Sequence, residues 1–104
     1  MIYKIQNNGA SASIELKGRL TFADYSNFRE MLQLLSELTI KRCVLDLSDL
    51  EFIDSAGLGM LLIARDKVQS QSGILNLKCA EGQVKKMLEL GRFDNLFSIE
   101  DANA

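Results

Sequence analysis

The sequence predicts an α/β domain with a mixed β-sheet, in which an N-terminal hairpin is followed by right-handed βαβα units and helices cover the sheet. Three observations support this prediction. Short apolar or alternating runs recur along the chain, separated by longer stretches with helical periodicity. Proline is absent, and no long polar linker interrupts the pattern. The 104 residues, 47% of them hydrophobic, suit a single domain spanning residues 1–104.

The N-terminal segment has the pattern of a β-hairpin. Residues 2–6 (IYKIQ) and 12–16 (ASIEL) alternate as strands do, and Asn7-Asn8-Gly9 between them is a turn signal. We expect residues 18–21 (GRLT) to lead the chain out of the second strand.

Residues 23–38 are the first predicted helix, which Thr21 or Asp24 could cap. Its apolar positions recur at helical spacing: Tyr25, Phe28, Leu32 and Leu35. Residues 43–47 (CVLDL) form a short apolar strand of the kind found in parallel sheets. Residues 55–70 form a second helix, with Asp54 or Ser55 as its cap. Its predicted stripe is Leu58, Leu61, Leu62, Arg65 and Val68.

The last third of the chain repeats the strand–helix alternation. Residues 74–79 (ILNLKC) alternate as a strand, and residues 82–90 carry a short helix. Residues 97–99 suit a final strand, and residues 100–104 are expected to form a frayed tail. The predicted element order is therefore ββαβαβα, with an eighth element, a strand, at the end.

Composition excludes several classes of function. The net charge is −2, the pI is about 5.1 and no basic stripe is present, so a nucleic-acid partner is not expected. The N-terminus lacks the pattern of a secretory signal, and no apolar run could span a bilayer. We therefore expect a cytosolic protein without membrane insertion, whose Cys43 and Cys79 are reduced core thiols. Histidine is absent, which removes histidine-based nucleophilic catalysis and most zinc sites, and no cofactor is expected.

Residues 52–60 (FIDSAGLGM) are the strongest candidate for a functional site. They place Ser55 where a strand has ended and a helix begins, and α/β domains locate their sites at such positions. A helix N-terminus offers free backbone N–H groups and a partial positive charge, so a phosphoryl group on Ser55 would be tolerated there. Ser55 could instead be only a helix cap, and Asp54 only a turn former or the cap itself.

The two glycines of this segment, Gly57 and Gly59, also allow two interpretations. Each weakens a helix by about 0.5–1 kcal/mol relative to alanine. Because glycine has no side chain, another protein surface could approach the backbone closely here, and the small side chain of Ala56 would not obstruct it. Alternatively, the glycines serve tight helix–sheet packing. They do not complete a nucleotide-binding motif.

The segment LDLSDLEFIDSAGLGMLL strongly resembles the signature of the STAS domain, which occurs in bacterial anti-sigma factor antagonists and in the cytosolic tails of sulphate transporters. The resemblance extends over nearly the whole chain, because length, strand order and the preceding Gly-Arg-Leu also match. It implies a STAS-like fold and a partner-switching role. The unmodified protein would bind an anti-sigma factor that is also a serine kinase, phosphorylation at the matching serine, Ser55, would release it, and a serine phosphatase would reset the switch.

The resemblance also implies an interaction surface at the start of the second helix and in the neighbouring turn. Its expected members, besides Ser55, are Thr21, Phe22, Asp24, Asp54, Ala56, Gly57, Leu58 and Gly59. Phe22 is either an exposed anchor or a core residue at the helix start. Such family members often carry Asp directly after the Gly-x-Leu turn. This chain has Thr21 there, so either the partner is atypical or Asp24 substitutes for that acid.

Three other functions compete with this hypothesis. Some STAS domains are unmodified scaffolds or accessory subunits of signalling, transport or lipid-transport complexes. An enzyme using Ser55 with Asp54 and Asp46 lacks a general base that titrates near neutrality. A receiver-type phosphoacceptor at Asp46 or Asp54 would need further acids that the first strand does not supply. Nucleotide binding carries no motif in this sequence.

Overall fold

The computed structural model describes residues 1–102, which form a five-stranded sheet and three α-helices. The strands are β1 (Ile2–Asn8), β2 (Ser11–Leu20), β3 (Arg42–Ile53), β4 (Ile74–Cys79) and β5 (Ile99–Asp101). The helices are α1 (Tyr25–Ser36), α2 (Ser55–Ser70) and α3 (Gln83–Leu90). Single 3-10 turns occupy Phe22–Asp24 and Phe93–Asn95.

The strands lie in the sheet in the order of the chain, β1-β2-β3-β4-β5. β1 pairs with β2 in an antiparallel hairpin, and the remaining neighbours are parallel. Each helix therefore connects one parallel strand to the next in the same direction across the sheet. Right-handed connections of this kind place all the helices on one face. The predicted mixed sheet with an N-terminal hairpin is confirmed.

The hydrophobic core lies between this helix layer and one face of the sheet. Alternate strand residues are buried and come from all three central strands: Ala12, Ile14, Leu16, Cys43, Leu45, Leu47, Leu75, Leu77 and Cys79. The intervening residues of the same strands, such as Ser13, Asp46 and Lys78, are only half-buried. The prediction that helices cover the sheet therefore holds for one face, and the other face is polar.

Several predicted boundaries are wrong. The hairpin turn is Gly9-Ala10, because Asn7 and Asn8 continue β1 and Gly9 adopts a φ of 62°. β2 runs to Leu20 rather than ending before Gly18, whose φ of 90° and adjacent register shifts let the strand bend while it remains paired. β3 runs to Ile53 rather than to residue 47, since Leu20 pairs with Ile53.

The C-terminal boundary also differs from the prediction. β5 begins at Ile99 and includes Glu100 and Asp101, which the sequence assigned to a frayed tail. These residues are ordered by pairing with β4. The rest of that predicted tail includes residues 103 and 104, which lie outside the described residues.

The two cysteines are free and buried, as predicted for core thiols. Burial raises the pKa of the Cys43 thiol to about 11, and burial also raises the pKa of Cys79. Both side chains therefore belong to the core rather than to a reactive site. Among residues 1–102, no helix is long and apolar enough to cross a lipid bilayer.

Candidate functional site

The Asp54 carboxylate caps α2 and ties its start to the neighbouring loop. One carboxylate oxygen accepts a hydrogen bond from the backbone N–H of Gly57 at 2.7 Å, and the other accepts one from the N–H of Phe22 at 3.3 Å. The backbone N–H of Asp54 in turn donates to the carbonyl of Leu20. Of the two caps that the sequence allowed, the structure uses Asp54.

Ser55 is therefore not needed as a cap. It is the first residue of α2, its side chain is exposed, and its hydroxyl makes no hydrogen bond to any of residues 1–102. A group added to this oxygen would displace no internal contact. Ser55 also lies at the N-terminal end of this 16-residue helix, where negative charge is stabilised.

The two glycines of the segment have different roles. A Cβ on Gly57 would lie 2.4 Å from the carbonyl oxygen of Leu20 and 2.6 Å from a side-chain carbon of Ile53, so this buried glycine lets α2 pack against the ends of β2 and β3. A Cβ on Gly59 would meet nothing within 4 Å. The packing interpretation therefore fits Gly57, whereas Gly59 leaves open space above the helix.

The turn before α1 is held by a reciprocal cap between Thr21 and Asp24. The Asp24 carboxylate accepts hydrogen bonds from the Thr21 backbone N–H at 2.9 Å and from the Met1 ammonium at 2.8 Å, and the Thr21 hydroxyl accepts one from Ala23. Thr21 is thus the N-cap of the 3-10 turn that precedes the helix, and Asp24 is its N3 partner. The prediction that Asp24 caps α1 itself is wrong, because its side chain makes no capping hydrogen bond to that helix. Burial alone would raise the pKa of Asp24, but these hydrogen bonds and the ammonium charge outweigh it and lower the pKa.

The predicted interface residues gather at this end of the helix layer with unequal exposure. Phe22, Ser55 and Ala56 are exposed, and Phe22 retains 75% of its surface. The half-buried members are Thr21, Asp24, Asp54, Leu58 and Gly59. Gly57 is buried, so it shapes the site from within and offers no surface to a partner.

Two further exposed apolar residues adjoin this surface. Tyr25 and Ile63 are 49% and 47% exposed, and together with Phe22, Ala56 and Gly59 they line a shallow apolar groove. The sequence assigned Tyr25 to the core stripe of α1 and left out Ile63. The first half of α2 is apolar on nearly every side, so its periodicity could not show which side faces inward.

The predicted stripe of α2 is accordingly wrong in part. The buried residues of the helix are Gly57, Met60, Leu61, Ala64 and Val68. Leu58, Leu62 and Arg65 are only half-buried, and the guanidinium of Arg65 donates a hydrogen bond to the carbonyl of Leu96.

Gln83, in α3, hydrogen-bonds to the strand end beside the site, and no pattern in the sequence predicts this role. β4 pairs with β3 only as far as Asp46, so within residues 1–102 no strand pairs with the later part of β3 on that side. The Gln83 side-chain amide accepts a hydrogen bond from the Ile53 N–H and donates one to the Ile53 carbonyl, both at 3.0 Å. It thereby satisfies the strand end that leads directly into Asp54 and Ser55.

Residues 2–103 match the STAS domain family, and the chain belongs to that family. A STAS-domain containing protein of Pseudomonas aeruginosa (strain UCBPP-PA14) is 32% identical over 92 residues, which cover 88% of this chain and 90% of that protein. The resemblance inferred from residues 45–62 is thus confirmed.

Solved structures confirm the fold. An anti-sigma factor antagonist from Mycobacterium paratuberculosis has a TM-score of 0.84 at 16% identity, over 95% of this chain and 84% of that one. The antagonist SpoIIAA matches in its unphosphorylated form with a TM-score of 0.72 at 17% identity, over 97% and 89%. The phosphorylated form from Bacillus matches with 0.73 at 16% identity, over 97% and 91%.

Replacing Gly57 with alanine should destabilise the protein by about 1–3 kcal/mol, because the new methyl group would overlap a backbone carbonyl that cannot move aside. Gly59→Ala is the matched control in the same helix. It should be neutral or stabilise the protein by up to about 1 kcal/mol, since its Cβ meets open space. Urea unfolding measures both, and equal effects of the two substitutions would contradict the packing role of Gly57.

Asp54→Ala should lower the free energy of unfolding by about 1 kcal/mol, because it removes the helix cap and the bond to Phe22. Hydrogen exchange should quicken at the amides of Gly57 and Phe22. Ser55→Ala is the control and should change stability by less than about 0.5 kcal/mol. A serine variant as unstable as the aspartate variant would show that Ser55 has a structural role after all.

The pairing of Asp24 should make stability depend on pH in the acid range. Its pKa is lower in the folded state, so its contribution is complete above the unfolded pKa of about 4 and is lost as the pH falls through the folded value. Near neutral pH, Asp24→Asn should cost up to about 1 kcal/mol, and this difference from wild type should shrink on acidification. The exposed Asp66→Asn is the control, and a pH-independent difference for Asp24→Asn would refute the pairing.

Proposed function

We propose that this protein is an anti-sigma factor antagonist that works by partner switching. The unmodified form binds an anti-sigma factor that is also a serine kinase, phosphorylation of Ser55 releases that partner, and a serine phosphatase restores the binding form. One observation carries the proposal: the Ser55 hydroxyl is exposed and unbonded to the rest of residues 1–102, because Asp54 caps the helix in its place.

Phosphorylation at this position would change a surface without unfolding it. A phosphoserine adds about 1.5–2 negative charges at neutral pH. The N-terminus of α2 offsets part of that charge, whereas the adjacent Asp54 carboxylate opposes it. A partner docked over Phe22 and Ala56 would have to desolvate the phosphate or make room for it. Phosphorylation should therefore weaken the affinity for the partner while leaving the free energy of unfolding nearly unchanged.

The comparisons support a local switch. SpoIIAA in its unphosphorylated and phosphorylated forms matches this backbone with nearly equal TM-scores of 0.72 and 0.73. One backbone arrangement is thus compatible with both states. Antagonist activity is a property of those proteins, and its extension to this chain rests on the geometry of Ser55.

A binding role fits the site better than catalysis. The Asp46 carboxylate, which the enzyme hypothesis paired with Ser55, accepts hydrogen bonds from the backbone N–H and the hydroxyl of Ser48 in its own strand. The Asp54 carboxylate, the other acid of that hypothesis, accepts hydrogen bonds from the backbone N–H groups of Gly57 and Phe22. Within residues 1–102, neither acid hydrogen-bonds to the Ser55 hydroxyl, which lies beside an apolar surface at a helix N-terminus.

A constitutive scaffold is the second candidate, and one contact favours it. Asp24, the acid that could substitute for the family's usual Asp at position 21, is already bound to the Met1 ammonium and to Thr21. A partner that depends on a free carboxylate there would not find one. The same apolar surface would then hold its partner regardless of the state of Ser55.

The decisive comparison uses wild type, Ser55→Ala and protein with phosphoserine incorporated at position 55. Wild type and Ser55→Ala should bind the partner kinase, and only wild type should accept phosphate from it. The phosphoserine form should bind at least about a hundredfold more weakly, equivalent to about 3 kcal/mol. Calorimetry measures the affinities, and phosphopeptide mapping locates the phosphate.

Ser70→Ala is the matched control at the other end of α2, where the Ser70 hydroxyl donates to the Lys67 carbonyl. It should behave as wild type in every assay. Phosphate incorporated into Ser55→Ala would refute the assignment. Equal affinity of the modified and unmodified proteins would favour the scaffold instead.

A further inference from the structure

The apolar surface beside Ser55 continues into a groove between α1 and α2. The first part is lined by Phe22, Ala56 and Ile63. The second part has a volume of about 240 Å³ and reaches Arg29 and Lys67. Tyr25, Met60 and Ile63 border both parts, so the two form one continuous groove. We call it the α1–α2 groove.

The α1–α2 groove is long enough along α2 for about three turns of a bound helix. Its α2 wall advances by helical spacing through Ala56, Met60, Ile63 and Lys67. At 1.5 Å per residue, the distance from Ala56 to Lys67 is roughly 16 Å, or three turns. A groove of this form between two helices accepts a third helix by ridge-into-groove packing.

The two ends of the groove differ in charge. The end beside Ser55 is apolar, and the far end carries the guanidinium of Arg29 and the ammonium of Lys67. Neither cation forms a salt bridge within residues 1–102, and no carboxylate from that part of the chain lines the groove. Glu30 lies beside Arg29 on the adjoining surface, so the positive charge belongs to the lining of the groove itself.

We propose that the partner inserts an acidic amphipathic helix into the α1–α2 groove. Its apolar face packs on Phe22, Tyr25 and Ile63, and its carboxylates meet Arg29 and Lys67. The inference rests on the proposed function, because it describes how the same partner extends from Ser55 along the helix layer.

A second copy of this chain fits the groove less well. A copy facing its equivalent would bring another Arg29 and Lys67, and the lining described above offers no carboxylate to balance them. Charge complementarity therefore selects an acidic ligand over self-association.

Two synthetic helical peptides with identical leucine positions test the proposal. One carries glutamate and the other lysine at the remaining positions, including those beside the leucines that would lie against Arg29 and Lys67, and binding is followed by amide chemical shifts of the ¹⁵N-labelled protein. The acidic peptide should shift the amides that line the α1–α2 groove and should bind about fivefold more tightly than the basic one. The double substitution Arg29→Glu/Lys67→Glu should reverse this preference.

Lys41→Glu/Lys86→Glu is the matched control, because it makes the same change in net charge at exposed positions outside the groove. It should keep the preference for the acidic peptide. Equal binding of both peptides, or shifts on the polar face of the sheet, would overturn the proposal. A concentration-dependent dimer that loses its interface in the Arg29→Glu/Lys67→Glu protein would assign the groove to a second copy and would also overturn it.

The partner kinase separates this proposal from the previous one. If phosphoserine at position 55 releases the kinase while Arg29→Glu/Lys67→Glu leaves its affinity unchanged, the groove proposal fails and the proposed function stands. If the charge reversal abolishes binding but phosphoserine does not, the groove proposal stands and the switch at Ser55 fails.

Discussion

The Asp54 carboxylate is the interaction on which the geometry of the site depends. It binds one backbone amide in α2 and one in the turn before α1, while its own amide binds the last carbonyl of β2. Leu20 also pairs with Ile53. The ends of β2 and β3 and the segments that lead into α1 and α2 therefore lie close together. Gly57 allows this close approach, and the Gln83 amide completes the hydrogen bonding of the end of β3 beyond its pairing with β4. Backbone contacts therefore fix the position of Ser55, and its own side chain contributes none of them.

Because helices cover only one face of the sheet, the residues that form the core are distinct from those proposed to bind a partner. The core fills the space between the helices and one face of the sheet, and the opposite face carries polar residues such as Asp46 and Lys78. The surface proposed for partner binding lies on the outer side of the helix layer. Phe22, Tyr25 and Ile63 lie there with large exposed apolar areas, directly beside the start of α2. Exposed aromatic and aliphatic groups gathered in one place mark an interaction surface more clearly than scattered ones do.

The sequence predicted those features that depend on local pattern. The α2 boundaries and the β4 boundaries followed from periodicity and capping residues, and the choice of Ser55 as a candidate site residue followed from its place at a strand-to-helix junction. Features that depend on long-range contacts were missed. The far end of β3 is a strand because it pairs with β2, and residues 100 and 101 are ordered because they pair with β4. The hydrogen bonds between the Gln83 side chain and the Ile53 backbone join residues 30 positions apart, so no local sequence pattern reveals them.

Since Asp54 caps α2 and Ser55 does not, the two positions should evolve under different constraints. Because the neighbouring acid supplies the cap, the position that follows it is under little thermodynamic constraint. A single codon change could remove the hydroxyl or restore it without an unstable intermediate. Under the proposed function, a lineage could thereby convert a regulated binding module into a permanent one, or reverse that change, while the remainder of the domain stays as it is.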